Sequence, residues 1–180
     1  MSVTEIKFGG FGGQGVILAA MIIGRAASIY NDKFATLTQS FGPEARGSAC
    51  SAQVIVSDEK ILYPYVTRPE ILMVLSQEAC NRFLPEATDN ATVIIEETMV
   101  QPRGIKPGMR LFAIPATRIA REVGRKMVLN IVMVGYFTAV TRLVAYEAAR
   151  ESVLGSVPNG TEALNLKAFD RGYQYAQAAG

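Results

Sequence analysis

Residues 8–16 read FGGFGGQGV, and this glycine-rich stretch decides how the chain begins to fold. A short run of strand-forming residues, Ile6–Phe8, precedes it, and a long apolar run without proline, Val16–Ile29, follows it. A strand, a glycine turn and a helix in this order form a unit in which backbone N–H groups and a helix N-terminus face an anion. The stretch therefore predicts a site for a phosphorylated or otherwise anionic ligand. Three of its glycines fit the spacing G-x-G-x-x-G and a fourth adds another residue without a side chain: Gly10, Gly12, Gly15 and Gly13.

The composition predicts a single folded domain that spans residues 1–180. Of the 180 residues, 49% are hydrophobic and 19% are charged, which is enough apolar material for a full core. The net charge is only +2 and no basic run interleaves with aromatic residues, which argues against a nucleic-acid partner. The longest strongly apolar stretches, Val16–Ile23 and Val128–Val134, are too short to span a membrane. Since the N-terminus also lacks the features of a secretory signal, we predict a cytoplasmic location.

The cysteine and histidine content excludes several kinds of site. Cys50 and Cys80 are the only cysteines, and the chain has no histidine. Two thiols cannot by themselves ligate a four-cysteine iron–sulfur cluster or a structural zinc ion. The lack of histidine removes His-based triads and ordinary histidine general-base catalysis. We therefore predict no metal site and no catalytic side chain here, and we expect both cysteines to be small core residues in a reducing compartment.

Strand-like and helix-like segments alternate along the chain. The predicted strands are Ile6–Phe8, Ala35–Thr38, Gln53–Ser57, Lys60–Leu62, Ile71–Leu75, Thr92–Glu96 and Leu111–Ile114. The predicted helices are Gly15–Ile29, Gln77–Leu84, Thr117–Val123 with Thr117 as its N-cap, Asn130–Ala145 and Glu162–Gln177. This alternation predicts the α/β class, as a three-layer Rossmann-like domain with a mostly parallel sheet. A hairpin-like signal at Asp58 and Glu59, between the third and fourth predicted strands, adds some antiparallel pairing.

The spacing of the glycine loop leaves more than one use open. A nicotinamide enzyme of the ordinary type needs an acidic residue about twenty residues later, at the end of the second strand. Asp32 lies at that distance, but the surrounding residues are typical of the turn before the second strand. A Walker A loop is excluded because no Lys-Ser/Thr pair follows. The remaining alternative is a close helix–strand crossing without a ligand, which the entropic cost of four glycines disfavours.

A second candidate group lies in residues 39–51, QSFGPEARGSACS. In a doubly wound sheet this stretch follows the second strand at its carboxyl end, beside the glycine loop, where ligands bind. Arg46 offers a planar fork that suits phosphate or carboxylate. Glu44 is placed to hold Arg46 or to accept a hydrogen bond from a ribose hydroxyl. The alternative is an exposed loop with an incidental ion pair.

A third candidate pair is Lys126 and Asn130, which are four residues apart and are expected to share a helix face. At a helix start, a cation and an amide suit the outer part of a phosphate-bearing ligand. The alternative is a solvated basic first turn, with Asn130 as a buried structural amide. A fourth group favours packing of the last helix over ligand binding: Asn165, Phe169 and Gly172.

Four motifs, in order, resemble those of a known family: GGFGGQGV, SFGPEARGSACSAQVIVSD, LNIVMVGY and LNLKAFDRGY. Together they are similar to the gamma subunit of 2-oxoacid:ferredoxin oxidoreductases, over nearly the whole chain. The indolepyruvate oxidoreductase beta subunit has a similar glycine loop, but its second motif contains a histidine, which this chain lacks. Ser48 departs from the resemblance, since the family commonly has a second glycine there.

The resemblance implies an enzyme subunit that does not work alone. Such assemblies decarboxylate a 2-oxoacid on thiamine diphosphate, pass electrons through iron–sulfur clusters to ferredoxin and transfer the acyl group to coenzyme A. This chain would help to bind and position coenzyme A. Thiamine diphosphate, magnesium and the clusters would lie on partners, namely alpha and beta subunits and a ferredoxin-like subunit or ferredoxin. A short gamma chain of this kind favours 2-oxoglutarate over pyruvate or branched-chain acids such as ketoisovalerate.

The resemblance also implies which residues form the coenzyme A site. Carried over by position, they are the glycine loop, the adjoining loop and a contact for the nucleotide end: Gly10, Gly12, Gly13, Gln14, Gly15, Ser40, Gly42, Pro43, Glu44, Arg46, Gly47, Lys126 and Asn130. Two other functions stay open, a stand-alone NAD-type dinucleotide-binding dehydrogenase and a purely structural scaffold subunit. The Met-rich segment Met127–Met133 fits either the core or a subunit interface, and an isolated chain that exposed it would tend to self-associate.

Overall fold

Six strands in the described part of the chain form one sheet, in the order β2-β3-β1-β4-β5-β6. The structure is a computed structural model that describes residues 3–41 and 49–179. The strands are β1 (Val3–Phe11), β2 (Phe34–Phe41), β3 (Ala49–Ser57), β4 (Ile71–Val74), β5 (Thr92–Glu96) and β6 (Arg110–Ile114). The helices are α1 (Val16–Tyr30), α2 (Gln77–Phe83), α3 (Ala116–Val123), α4 (Leu129–Thr141), α5 (Tyr146–Leu154) and α6 (Glu162–Ala179).

The sheet is parallel on one side of β1 and antiparallel on the other. β1, β4, β5 and β6 pair in parallel, whereas β3 runs antiparallel to both β1 and β2. The ends of the four parallel strands therefore define a carboxyl edge, where β1 ends at Phe11, and an amino edge, where it begins at Val3. The predicted mostly parallel α/β sheet is confirmed.

The two faces of the sheet are covered by different sets of helices. On one face, Ile6 and Phe8 of β1 pack with α1, α3 and α4 in one hydrophobic cluster, and residues of α5 and α6 extend it. On the other face, Leu72 and Val74 of β4 pack with α2 in a second cluster. Because β4 contributes to both clusters through alternate side chains, it reads as a continuous apolar run. Helices thus lie on both sides of the sheet, as the three-layer prediction requires.

The predicted hairpin between Gln53–Ser57 and Lys60–Leu62 is wrong. Lys60–Leu62 is irregular, and β3 pairs instead with the preceding strand β2. The ladder of β2 runs from Phe34 to Phe41, beyond the predicted Ala35–Thr38. The polar residues at the end of β2 did not predict a strand from the sequence. They are extended because β3 supplies the hydrogen-bond partners of their backbone.

Two helix predictions also need correction. The predicted helix Asn130–Ala145 ends at Thr141, because Arg142 adopts a left-handed conformation with φ 51°. A separate helix, α5, then begins at Tyr146, and the sequence analysis did not predict it. The Met-rich segment divides in the same region: Met133 is buried in the core, whereas Met127 is 84% exposed.

Candidate functional site

The glycine loop joins the carboxyl end of β1 to the first turn of α1. Gly13 and Gly15 adopt positive φ angles of 93° and 73°, which L-residues with side chains rarely take. Gly13 is exposed, and a Cβ atom built there would meet nothing within 4 Å. A side chain at Gly10, in contrast, would overlap Gln14 Oε1 and Val16 Cγ2 at 2.5 and 2.8 Å. The loop therefore packs tightly at its base and leaves open space at its tip.

The amino terminus of α1 is not capped by the described part of the chain. Gly15 occupies the N-cap position and makes no side-chain capping bond, and the first turn of α1 contains no acidic residue. The first helical bond runs from the Ala19 N–H to the Gly15 carbonyl at 3.0 Å. The N–H groups before it are left for another partner, and the positive end of the helix dipole is not neutralised locally. This arrangement can accept an anion.

The side chain of Gln14 fixes the loop from within. Its Oε1 accepts a hydrogen bond from the Phe11 N–H at 2.7 Å, and its Nε2 donates to the Leu75 carbonyl at 3.0 Å. A backbone bond from the Gln14 N–H to the Phe11 carbonyl, at 3.1 Å, closes the same turn. Gln14 therefore ties the ends of β1 and β4 to the loop. The geometry makes it a positioning residue, because both ends of its amide have protein partners.

Asn130 holds the loop from the side of α4. It is 4% exposed, and its Nδ2 donates to the Gly15 carbonyl at 3.3 Å. A Cβ atom at Gly15 would overlap the Asn130 amide. Lys126 lies in a 3-10 turn before α4 and is exposed, so the two residues do not share a helix face, contrary to the prediction. Asn130 is instead the buried structural amide of the alternative interpretation.

The second candidate group lies mostly outside the described residues. That applies to five predicted site residues, Gly42, Pro43, Glu44, Arg46 and Gly47. Ser40 is described, near the end of β2, and is exposed. The flanking ends, Phe41 and Ala49, are fixed by the sheet register, in which Cys50 pairs with both Phe41 and Gly10. Phe41 and Ala49 therefore lie at the carboxyl edge, beside the glycine loop.

Glu96 is a buried carboxylate at this edge that the sequence analysis did not single out. It is 0% exposed, and its Oε1 accepts a hydrogen bond from the Thr117 N–H at 3.0 Å. Its Oε2 accepts bonds from the N–H and the hydroxyl of Thr98, at 2.9 and 2.6 Å. Glu96 thus caps α3 from the end of β5, and the prediction of Thr117 as N-cap is wrong. The available signal was an acidic residue at the end of an otherwise apolar strand.

Asp32 is far from the glycine loop. It lies between the end of α1 and the start of β2, in a turn where its φ is 50°. The loop is at the other end of α1, a helix of 15 residues and hence about 22 Å in length. Moreover, β3 and not β2 lies next to β1 in the sheet. Asp32 therefore cannot play the part of the ribose-binding acid of an ordinary dinucleotide site.

The cysteines do not fit a shared metal cluster. Cys50 belongs to the hydrophobic cluster on one face of the sheet, and Cys80 belongs to the cluster on the other. Both are buried, and burial raises the pKa of each thiol, which disfavours the thiolate that binds metal. Their expected place in the core is confirmed.

A cleft of about 800 Å³ lies away from the glycine loop. Its lining includes Arg110, at the start of β6, and Arg142, at the end of α4. Because β6 runs parallel to β5 and so to β1, Arg110 marks the amino edge of the sheet. Ligands of open α/β sheets bind outside the carboxyl ends of the strands, so this cleft does not enlarge the candidate site.

The fourth group packs the last helix against α4, as predicted. A Cβ atom at Gly172 would overlap the Val132 carbonyl, and one at Gly135 would overlap the Phe169 carbonyl. Asn165 is 7% exposed and donates to the Thr161 carbonyl at 2.9 Å, at the start of α6.

This chain is similar to known proteins both in sequence and in fold. The family model for pyruvate ferredoxin/flavodoxin oxidoreductase matches residues 5–175. The 2-oxoglutarate synthase subunit KorC of Methanocaldococcus jannaschii is 44% identical over 175 residues, which cover 96% of this chain and 94% of that protein. The ketoisovalerate oxidoreductase subunit VorA of Methanothermobacter thermautotrophicus is 27% identical over 97% of this chain, but the match covers only 36% of that longer protein. The crystal structure of a keto/oxoacid ferredoxin oxidoreductase gamma subunit from Geobacter sulfurreducens superposes with a TM-score of 0.85 at 38% identity, covering 97% of this chain and 99% of that one.

The chain therefore belongs to the pyruvate ferredoxin/flavodoxin oxidoreductase family, as a gamma-type subunit of a 2-oxoacid:ferredoxin oxidoreductase. The resemblance drawn from the sequence motifs is confirmed, and other subunits are implied. Within residues 3–41 and 49–179, no helix is both long enough and apolar enough to cross a membrane.

Proposed function

We propose that this chain binds coenzyme A and presents its thiol to the acyl intermediate formed on partner subunits. The observation that carries the proposal is the uncapped amino terminus of α1 behind an open loop tip at Gly13. Backbone N–H groups at such a terminus are suited to the diphosphate of coenzyme A. The exposed ammonium of Lys126, near the start of α4, supplies a cation for the nucleotide end.

The remaining predicted residues divide between two roles. The first role is to shape the loop, because the contacts of Gln14 and Asn130 are directed into the protein. The residues with this role are Gly10, Gly12, Gln14, Gly15 and Asn130. The second role, direct contact with the ligand, is proposed for the adjoining group on the strength of the family resemblance alone. Of this group only Ser40 is described, since Gly42, Pro43, Glu44, Arg46 and Gly47 lie outside the described residues.

The proposed reaction is the oxidative decarboxylation of 2-oxoglutarate to an acyl-coenzyme A. Identity is 44% with the 2-oxoglutarate synthase subunit and 27% with the ketoisovalerate subunit, which favours the former substrate. We propose that the iron–sulfur clusters lie on partner subunits, which is supported by the separation of the two cysteines of this chain in different core clusters. The family resemblance implies that thiamine diphosphate and magnesium lie on alpha and beta subunits and that a ferredoxin-like subunit or ferredoxin accepts the electrons. The work of this chain is to position a reactant and stabilise its anionic groups, in the cytoplasm.

Isothermal titration with coenzyme A, dephospho-coenzyme A and NAD tests the proposal. It is performed on the pure chain and on the complex assembled with its partner subunits. We expect coenzyme A to bind one or both forms, with NAD at least about tenfold weaker. Lys126→Gln is expected to weaken coenzyme A about tenfold and to leave dephospho-coenzyme A nearly unchanged, because only the former carries the additional phosphate.

Arg46→Ala provides a second probe, from the adjoining loop. We expect it to lower the affinity for coenzyme A while assembly with partner subunits persists. If neither the chain nor the complex binds coenzyme A through these residues, and Gly13 or Arg46 substitutions instead prevent assembly, the chain is a structural scaffold. Binding of NADH with a change in nicotinamide fluorescence would favour the dehydrogenase alternative and contradict the proposal.

A further inference from the structure

The cleft that contains Arg110 lies beside the edge strand of the sheet, between that strand and two helices. β6 is the last strand in the order of the sheet. Arg110 alternates along β6 with Phe112 and Ile114, which pack in the larger hydrophobic cluster, so its side chain lies on the face that α4 and α6 cover. Tyr136 of α4 and Tyr173 of α6 also line the cleft. Its volume of about 800 Å³ is within the range of small-molecule sites.

The close crossing of α4 and α6 makes this cleft a fixed feature of the fold. An added Cβ atom at Gly135 would overlap the Phe169 carbonyl, and one at Gly172 would overlap the Val132 carbonyl, so the two backbones are in direct contact. Helices that cross at an angle separate on either side of the crossing. All residues of α4 and α6 that line the cleft follow these two glycines in the chain. The cleft is therefore the gap that opens between the helices beyond their contact.

Aromatic rings in fixed positions form the apolar walls. The ring of Tyr173 lies edge to face with that of Tyr146, with the centroids 4.7 Å apart. Tyr136 is 4% exposed, and its ring lies 6.0 Å from that of Tyr175. The Tyr136 hydroxyl donates to the Ala113 carbonyl at 3.2 Å, which also fixes it to β6. Rings held in this way lose little entropy when a flat molecule packs against them.

Two guanidinium groups give the cleft a positive charge. Arg110 Nη2 donates to Thr92 Oγ1 at 2.8 Å, which positions the guanidinium and leaves its other N–H groups for a ligand. Arg142 is exposed at the end of α4. In the described part of the chain neither guanidinium forms an ion pair, and the described lining contains no Asp or Glu. Glu97, which contributes to the raised pKa of Tyr136, lies outside this lining.

The carboxyl-terminal ends of α4 and α6 offset only part of this charge. Each helix end is equivalent to about half a negative charge, so the two ends oppose about half of the charge of two guanidinium groups. Two carbonyls of the last turn of α4 already have partners within the helix. The Arg142 N–H donates to the Thr138 carbonyl at 3.0 Å, and the Thr141 hydroxyl donates to the Phe137 carbonyl at 2.9 Å. A net positive charge therefore remains for an anion.

We propose that this cleft is a second ligand site, which binds a small organic anion with a flat apolar body. The carboxylate or phosphate group of the ligand lies at Arg110 and Arg142, and the body packs against Phe112, Tyr136 and Tyr173. Guanidinium groups suit both kinds of head group, and aromatic walls favour a flat body. The site is separate from the glycine loop at the opposite edge of the sheet, so the proposal goes beyond the proposed function and does not depend on it.

Calorimetric titration with probes that share one ring system tests the proposal, on the full chain and on the complex with its partner subunits. The probes are 2-naphthyl phosphate, 2-naphthoate and the neutral 2-naphthol, with inorganic phosphate as a head group without a body. We expect the better of the two naphthyl anions to bind with a Kd of about 1 mM or below. We expect 2-naphthol and inorganic phosphate to bind at least about tenfold more weakly. The better anion identifies the head group that the site prefers.

Variants then locate the bound probe. Arg142→Asn removes one guanidinium, and asparagine tolerates the positive φ of 51° at this position. Arg110→Gln removes the other from the side of β6. Arg103→Gln is the matched control, because Arg103 is exposed and lies outside the lining. We expect each cleft variant to weaken the better anion at least about tenfold and the control to change it less than about twofold, with the fold of each variant verified by circular dichroism.

Several results would overturn the proposal. One is a wild type that binds the naphthyl anions no more tightly than 2-naphthol, and another is equal binding by wild type and both cleft variants. Binding to the isolated chain that is lost in the complex would make the cleft a subunit interface. Displacement of the probe by coenzyme A would make the cleft part of the coenzyme A site, which would also contradict the position proposed for that site. Failure of coenzyme A to bind, with the probe still bound, would overturn the proposed function alone.

Discussion

At the scale of single residues, two glycines of the loop with similar backbone angles have different surroundings. Gly15 has φ 73° and lies against the Asn130 amide, whereas Gly13 has φ 93° and faces open space. The first is needed for both its conformation and its lack of a side chain. The second is needed for its conformation alone, which leaves room there for a ligand.

Alanine substitutions separate these two requirements. Gly13→Ala is expected to cost about 1–2 kcal/mol, the strain of a left-handed alanine. Gly15→Ala carries the same strain and also displaces Asn130, so we expect a loss of about 3 kcal/mol or more. Urea unfolding of both variants measures the difference. A Gly13→Ala variant as unstable as Gly15→Ala would contradict this assignment.

The buried phenol of Tyr136 is expected to make the stability of the protein depend on pH in the alkaline range. Burial, reinforced by Tyr175 and Glu97, raises its pKa from 10 to about 12, and its hydroxyl donates to the Ala113 carbonyl at 3.2 Å. The folded state thus holds a proton that the unfolded state releases first. Stability from the neutral phenol is therefore complete below pH 10 and is lost as pH rises towards about 12.

The matched variant is Tyr136→Phe, which keeps the ring and removes the titrating group. We expect the difference in unfolding free energy between wild type and variant to decline by about 2 kcal/mol across this alkaline range. Denaturant unfolding at closely spaced pH values measures it. A difference that stays flat or grows would contradict the raised pKa of Tyr136.

At the scale of elements, the crossing of α4 and α6 depends on two glycines. Gly135 lies against the Phe169 carbonyl and Gly172 against the Val132 carbonyl, so each helix presents a glycine to the backbone of the other. Asn130, which bonds to the Gly15 carbonyl, belongs to the first turn of the same helix α4. The crossing therefore helps to position the glycine loop.

Substitution at this crossing is expected to be costly. Gly135→Ala forces two backbones apart, and we expect a loss of more than about 3 kcal/mol in unfolding free energy. Gly24→Ala is the control within α1, where an added Cβ would meet only Val54 Cγ1, at 3.8 Å. That variant is expected to gain about 0.5–1 kcal/mol from the lower entropy of the unfolded chain. Thermal unfolding compares them, and a tolerated Gly135→Ala would contradict the close crossing.

Elements whose burial shows in their own sequence could be predicted, whereas elements stabilised by distant partners could not. The segments Ile71–Leu75 and Thr92–Glu96 are continuous apolar runs, so their burial is visible locally. The polar end of β2 has no local signal, because its ladder partners on β3 are nine or more residues away in the sequence. The end of α4 at Arg142 was hidden for a similar reason: the apolar pattern continues to Ala145 although the backbone turns.

At the scale of the whole molecule, the candidate site is gathered at the carboxyl edge of the sheet. This edge holds the glycine loop with the part-buried Gln14, the uncapped end of α1 and the buried Glu96, which caps α3. The cleft that contains Arg110 lies at the amino edge instead. The coenzyme A that we propose therefore meets the chain at one edge of the sheet.

The candidate site was predictable in position, and less so in the role of each residue. Glycine spacing located the loop, since close backbone packing and anion binding both demand it. The inward direction of Gln14 and Asn130 was not predictable, because it depends on the Leu75 and Gly15 carbonyls that only the folded chain brings near. Lys126 and Asn130 were paired by helical spacing, but the helix begins after Lys126.

The most direct measurement is the affinity of the assembled oxidoreductase for coenzyme A with Asp or Asn at position 13. Both residues tolerate positive φ, both fit the open space at Gly13, and they differ in charge alone. A carboxylate near the start of α1 also favours the helix, so lost binding would not reflect unfolding. The account predicts that Gly13→Asp binds at least about tenfold more weakly than Gly13→Asn. Equal affinity of the two variants would contradict it, because no anionic group of the ligand could then lie at the end of α1.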